Sequence, residues 1–161
     1  MNTVKGAVID RFTGRWKALS NFEPAWVYFD GVAYPTVEHA FQAAKTFNQW
    51  ERDAIRSART PAEAKRLGRA VDLRADWEVA KVDVMRELLV WKFTAEPFRS
   101  ILLATGDAEL VEGNFWRDTV WGMCNGVGEN RLGRLLMDVR NGLVLTSAAT
   151  TKGGDASCAL R

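Results

Sequence analysis

One hundred and sixty-one residues make one domain-sized chain, 47% hydrophobic and 26% charged, which excludes the apolar poverty and charge excess of a disordered protein. With 22 Lys and Arg against 20 Asp and Glu, the formal charge of +2 is too small to point to nucleic acid or a membrane by itself. One histidine, His39, and two cysteines, Cys124 and Cys158, nearly exclude a structural zinc site and leave Ser-His-Asp or Cys-His catalysis only if His39 serves, so neither metal nor cofactor is expected. The absence of a signal peptide and of an apolar run near ~20 residues points to a reducing, cytoplasmic setting without membrane attachment.

Up to Pro35 the chain reads as strands. Residues Ala25–Phe29 and Val32–Tyr34 flank Asp30-Gly31, a dipeptide suited to the positive φ of a tight hairpin turn. A helix follows over Val37–Phe47, with Thr36 placed to cap it. Thr60-Pro61-Ala62-Glu63 is a capping box with proline at the first helical position, and its helix ends near Gly68. Asp76 is placed to cap a longer helix to about Ala95, with Trp77, Ala80, Val84, Leu88 and Trp91 as its core stripe. Pro97 opens a helix that packs Ile101, Leu102 and Leu103 and stops at Thr105-Gly106. Residues from Asp107 to Asn130 are rich in Gly, Asn and Trp and lack periodicity, as a site-bearing loop region would. A last helix, about Glu129 to Asn141, carries Leu132, Leu135, Leu136 and Val139, and Leu143-Val144-Leu145 reads as a strand. The expectation is an α+β fold: a single compact, mostly helical domain over residues 1–145 with an N-terminal β-hairpin, and a disordered tail over 146–161.

Glu38 and Lys45 are close to two helical turns apart, so they would project from nearly one face ~10 Å apart along the axis, with Gln42 between them. A carboxylate, an amide and an amine in line can address one ligand; the same spacing equally fits an exposed polar face. His39, turned ~100° away, reads as a structural histidine. Gly126-Val127-Gly128-Glu129-Asn130 could present amides to a phosphate at a helix start, or be a plain loop. Phe115, Trp116 and Trp121, beside Asn114, Arg117 and Asp118, suit a base-stacking wall as well as a core. The run Arg52, Arg56, Arg59, Lys65, Arg66, Arg69 and Arg74 is interleaved with acids and reads as a solvated face.

Taken together, Leu19-Ser20-Asn21-Phe22, the run Tyr34 to Lys45, Leu110-Val111-Glu112-Gly113-Asn114, Trp121-Gly122 and the run Gly128 to Met137 resemble the NADAR, or YbiA-like, family of N-glycosidases, in order and across the domain. The resemblance implies hydrolysis of a bond between ribose C1 and an amino nitrogen of a base. In some members the substrate is ADP-ribosylated guanine, free or within nucleic acid; in others it is a phosphoribosylamino-pyrimidine intermediate of riboflavin synthesis. It also implies Glu38 and Lys45 as catalytic residues. It also carries substrate contact to Asn21, Trp121 and Gly122; Phe22, Gln42, Trp116, Asp118, Gly128 and Asn130 are the further substrate-binding candidates. Where many riboflavin-type members carry Asp after Trp-Gly, this chain has Met123-Cys124, which favours the ADP-ribosyl-guanine branch, with Asp118 as the replacement carboxylate. A non-catalytic ADP-ribose binder would not require Glu38 and Lys45 together, and a nucleic-acid module would show a more basic surface.

Overall fold

A computed structural model describes residues 6–152, with side chains up to Ala148. In chain order the elements are β1 (Val8–Ile9), a 3-10 helix (Gly14–Leu19), β2 (Val27–Phe29), β3 (Val32–Tyr34), α1 (Val37–Ala43), α2 (Gln49–Arg56), α3 (Pro61–Leu67), α4 (Trp77–Thr94), α5 (Phe98–Leu103), β4 (Glu109–Leu110), β5 (Gly113–Asn114), β6 (Met123–Cys124) and α6 (Arg131–Lys152). This is the α+β content expected, although strand occupies little of the chain before Pro35. Among the described residues no helix is long and apolar enough to cross a membrane. The chain divides into two compact units, one spanning Phe12–Phe98 and the other joining residues up to Arg11 to those from Arg99 onward.

In the Phe12–Phe98 unit, β2 and β3 form the expected antiparallel hairpin, Val27 opposite Tyr34 and Phe29 opposite Val32. Asp30 and Gly31 supply its turn with φ of 50° and 76°. Val27, Phe29 and Tyr34 point inward, while Tyr28 points outward against Trp91, ring centroids 5.3 Å apart. Helix α1 packs against α2, α3 and α4, and every residue in it is buried. Thr36 caps it by accepting from His39 N at 3.1 Å. The imidazole is tied at both ends, Nδ1 to Thr36 Oγ1 at 2.7 Å and Nε2 to the Ala58 carbonyl at 3.2 Å. His39 is therefore a structural histidine, and burial lowers its pKa.

Two arginines of the run read as a solvated face are instead braces. Arg52 is buried, donating from Nε to the Thr46 carbonyl at 2.7 Å and pairing with Asp30 at 2.8 Å, which joins the hairpin turn to the segment after α1. Arg74 grips Asp76 through Nε and Nη2 at 2.6 and 2.7 Å, so the Asp76 carboxylate does not cap α4. Helix α4 buries Trp77, Val84, Met85, Leu88, Leu89, Lys92 and Phe93. The expected stripe is thus rotated: Trp91 is exposed, and Lys92 takes the inward position beside it.

In the second unit β1 pairs with β4 and β5 with β6, both in parallel. Helix α6 lays Leu132, Leu135, Leu136, Val139 and Leu143 inward and packs against β4. The strand expected at Leu143–Leu145 is helix, because Leu143 continues the helical spacing of that apolar stripe. Helix α6 runs on through Thr146, where a tail was expected, to Lys152. The Leu143 carbonyl there accepts from Thr146 Oγ1 and Ser147 Oγ. The rest of that tail, Cys158 included, lies outside the described residues.

Lys92 is 1% exposed, and its Nζ donates to the Ser20 carbonyl at 2.7 Å between the rings of Phe93 and Phe98. Burial pushes its pKa down to about 7 from the ordinary 10.5, with Glu23 acting weakly the other way. Between those values the unfolded chain holds a proton that the folded protein has released, so stability rises with pH through this window. Thermal melts from pH 7 to 10 are expected to show the wild type gaining on Lys92→Met. A pH-independent gap between the two would mean that the amine keeps its ordinary basicity.

Candidate active site

The polar row is assembled by α1 and the turn that ends it. Glu38 lies in the first turn of α1, where the helix N-terminus favours a negative charge. Its backbone N–H donates to the Asn21 carbonyl at 3.1 Å, which fixes the Leu19–Phe22 segment against the helix start. One turn on, Gln42 donates from Nε2 to Glu38 Oε1 at 2.7 Å. Helix α1 ends at Ala43, earlier than expected, and Lys45 lies in the following turn, its N–H on the Gln42 carbonyl at 3.3 Å. Glu38 is 6% exposed and Gln42 3%, which rules out the solvated polar face that the spacing also allowed.

Lys45 is half-buried and donates from Nζ to the Gly68 carbonyl at 3.5 Å. Burial lowers its pKa first of all. Glu38 opposes that shift, and the charges of Lys65 and Arg69 add to it. An amine so placed is neutral more often than an ordinary lysine, as a nucleophile or base requires. Two buried acceptors, Asn21 Oδ1 and Gln42 Oε1, have no hydrogen-bond partner among the described residues. A buried acceptor without a donor is destabilising by ~1–3 kcal/mol, so these two oxygens are a local cost carried beside the polar row. The other end of Asn21, Nδ2, rests on Met85 Sδ at 3.5 Å. Phe22 is 40% exposed, with the Lys65 ammonium 6.0 Å from its ring centroid.

Gly68 was legible only as a helix stop, yet it shapes the row. Its φ of −64° suits any residue, so the backbone does not require glycine there. Space does: a Cβ at this position would lie 2.1 Å from Gln42 Oε1. The bare α-carbon admits the Gln42 amide, and the carbonyl of the same residue receives Lys45.

The remaining residues expected at the site belong to the second unit. Asp118 Oδ1 accepts from the N–H groups of Val120 and Trp121 at 3.1 and 2.9 Å, so one of its oxygens serves its own loop. Asn114 bonds Asp118 on both sides, Nδ2 to its carbonyl and Oδ1 from its N–H. Asn130 is buried and engaged at both ends, accepting from Glu112 N at 3.0 Å and donating to the Leu110 carbonyl at 2.8 Å. Its side chain is a brace, engaged at both its oxygen and its nitrogen. Gly122 and Gly128 pack closely, an added Cβ on Gly128 falling 2.3 Å from the Gly122 carbonyl. Of the amides of residues 126–130 read as a phosphate seat, those of Val127, Glu129 and Asn130 are engaged, Val127 N donating to the Cys124 carbonyl at 3.0 Å. The N–H groups of Glu129, Asn130, Arg131 and Leu132 already donate to the carbonyls of Thr119, Gly122, Val120 and Trp121. Phe115 and Trp116 are exposed, edge to face with centroids 5.2 Å apart, and Trp121 is half-buried. Among the described residues no group of His, Cys, Asp and Glu could hold a metal ion.

The chain belongs to the NADAR domain family, whose profile matches residues 11–144. N-glycosidase YbiA of Shigella boydii is 43% identical over 130 residues, covering 78% of this chain and 81% of that protein. The chloroplastic riboflavin biosynthesis protein PYRR of Zea mays is 37% identical over 158 residues, covering 86% of this chain but only 25% of that longer protein. The NMR structure of Escherichia coli YbiA superposes with a TM-score of 0.78 at 38% identity, covering 90% of each chain. These comparisons support an N-glycosidase activity for this chain.

Two outcomes test this geometry. Gly68→Ala is expected to lower turnover by up to ~10²-fold through displacement of the Gln42 amide. It should add nothing further in a Gln42→Ala background; additive losses would mean that Gly68 acts elsewhere. Asn130→Ala is expected to lower stability by ~1–3 kcal/mol in denaturant melts, since it leaves the Glu112 N–H and Leu110 carbonyl without their partner. An unchanged midpoint would contradict the brace.

Proposed function

We propose that this protein removes ADP-ribose from ADP-ribosylated guanine, free or within nucleic acid, by cleaving the bond between ribose C1 and the amino nitrogen of the base. The observation that carries the reading is the buried Glu38 carboxylate held by Gln42, in electrostatic reach of a lysine whose basicity is lowered. Ribose C1 bonded to nitrogen is a glycosylamine. Protonation of its ring oxygen opens the sugar to an imine at C1, a reaction ordinary O-glycosides do not offer. The neutral Lys45 amine can add to that carbon, and the base leaves with its amino nitrogen protonated. Water then hydrolyses the lysine imine, returning the amine and the free sugar. Glu38 moves the protons: it takes one from the Lys45 ammonium, which frees the amine, delivers it to the ring oxygen, and as a carboxylate again accepts one from the attacking water. In a simpler course Glu38 activates water against an oxocarbenium-like C1, and Lys45 contributes only charge. The exposed ring of Phe22, beside Asn21, suits a base.

A second reading, hydrolysis of a phosphoribosylamino-pyrimidine, is favoured by the riboflavin biosynthesis protein among the relatives. It uses the same bond and the same Glu38 and Lys45. Incubation with ADP-ribosylated guanosine and, separately, with the pyrimidine compound distinguishes the two by which one releases its sugar.

Glu38→Gln keeps the shape and removes the proton carrier, so turnover is expected to fall at least ~10²-fold with the melting temperature retained. Lys45→Arg keeps a charge but cannot form the imine. Near-total loss of turnover, and a borohydride-trapped sugar adduct on Lys45 of the wild type, are the outcomes of the covalent course. Substantial activity in Lys45→Arg without any adduct leaves the water course.

A further inference from the structure

We propose that Lys65 and Arg69 form a seat for a phosphate group of the substrate at the outer end of the Glu38–Gln42–Lys45 row. The inference rests on the reading of that row as the reacting centre.

Lys65 lies in the last turn of α3 and Arg69 follows one residue after Gly68, whose carbonyl receives the Lys45 ammonium. The chain keeps turning there, Arg69 N donating to the Arg66 carbonyl at 3.3 Å, so the two cations stand one turn apart with Gly68 between them. Like charges at this spacing repel, and no carboxylate relieves them: among the described residues neither is in an ion pair. The Lys65 ammonium stands over the half-exposed ring of Phe22, next to Asn21 with its unpartnered Oδ1. Exposure increases along the row, from buried Glu38 and Gln42 to half-buried Lys45 and Lys65 and exposed Arg69. The charges of Lys65 and Arg69 reach Lys45, where Glu38 is the opposing negative group.

Three cations around one carboxylate leave an excess of positive charge, the complement of a phosphate ester. Both proposed substrates carry one, as a monophosphate on the ribosylamino-pyrimidine or as the diphosphate of ADP-ribose. At the other seat that the sequence offered, residues 126–130, the amides of Val127, Glu129 and Asn130 are committed.

Titration calorimetry with ribose-5-phosphate, ADP-ribose and unphosphorylated ribose tests the seat without requiring turnover, and Glu38→Gln serves as a non-reacting background. In Lys65→Gln/Arg69→Gln the dissociation constant of the phosphorylated ligand is expected to rise roughly ten- to a hundredfold, as loss of charged hydrogen bonds implies, with ribose unaffected. Lys65→Arg should restore most of the Lys65 share, because it restores the charge. Melting curves should nearly coincide, since among the described residues neither side chain is in an ion pair and the contact of Lys65 with the exposed Phe22 ring is at the surface. Loss of affinity for ribose-5-phosphate identifies the monophosphate as occupant, and loss for ADP-ribose alone identifies the diphosphate. Unchanged affinity for both in the double variant overturns the seat, even if the N-glycosidase reading survives. Conversely, charge-dependent binding without turnover of either substrate upholds the seat and removes the proposed reaction.

Discussion

Burial of α1 on all sides is the constraint on which the Phe12–Phe98 unit is built. A short helix enclosed by α2, α3 and α4 has no face for solvent, yet it carries Glu38, His39 and Gln42. Each must find its hydrogen bonds inside, since a buried polar group left alone is costly. His39 finds both of its partners in the protein, Thr36 and Ala58. Gln42 satisfies only its nitrogen end, on Glu38. That difference separates the two polar residues physically: His39 is satisfied at both ring nitrogens, while the Gln42 oxygen is packed against Gly68 without a donor.

Electrostatics in this unit are graded by depth. Lys92 is enclosed by aromatic rings and has a carbonyl as its hydrogen-bond partner; its environment favours the neutral amine. Lys45, half-buried and within reach of Glu38, is shifted in the same direction but faces other charges. Lys65 and Arg69 lie further out. A reacting amine needs the middle of this series, where it is neutral often enough to attack and open enough to meet a sugar carbon.

Local signals in the sequence read well. Asp30-Gly31 makes the hairpin turn, Thr36 and Thr60 cap their helices, and His39 is structural. These features depend on neighbours a few residues away. The rotation of the α4 stripe, which exposes Trp91 and buries Lys92, was not legible because hydropathy ranks the two the wrong way round; ring partners and the Ser20 carbonyl reverse the order. For the same reason Arg52 and Arg74 read as solvated, although Asp30, Thr46 and Asp76 wait for them. At the candidate site, the helical spacing of Glu38 and Gln42 was readable, while the role of Gly68 was not. Its contact with Gln42 crosses between helices, and no periodicity records a missing side chain.

The start of α6 has a mechanical consequence. Four successive amides at the beginning of this helix are bonded to the carbonyls of residues 119–122, and Asn130 clamps the same place to Glu112 and Leu110. The loop from Asn114 to Gly122 is stitched to itself through Asp118 and to the helix through those bonds. It cannot swing as an independent flap, because moving it breaks the first turn of α6. A different arrangement of Trp121 would require fraying the helix, whose Leu132 N–H holds the Trp121 carbonyl at 3.0 Å. The loop is therefore held in one arrangement, with the helix acting as its splint.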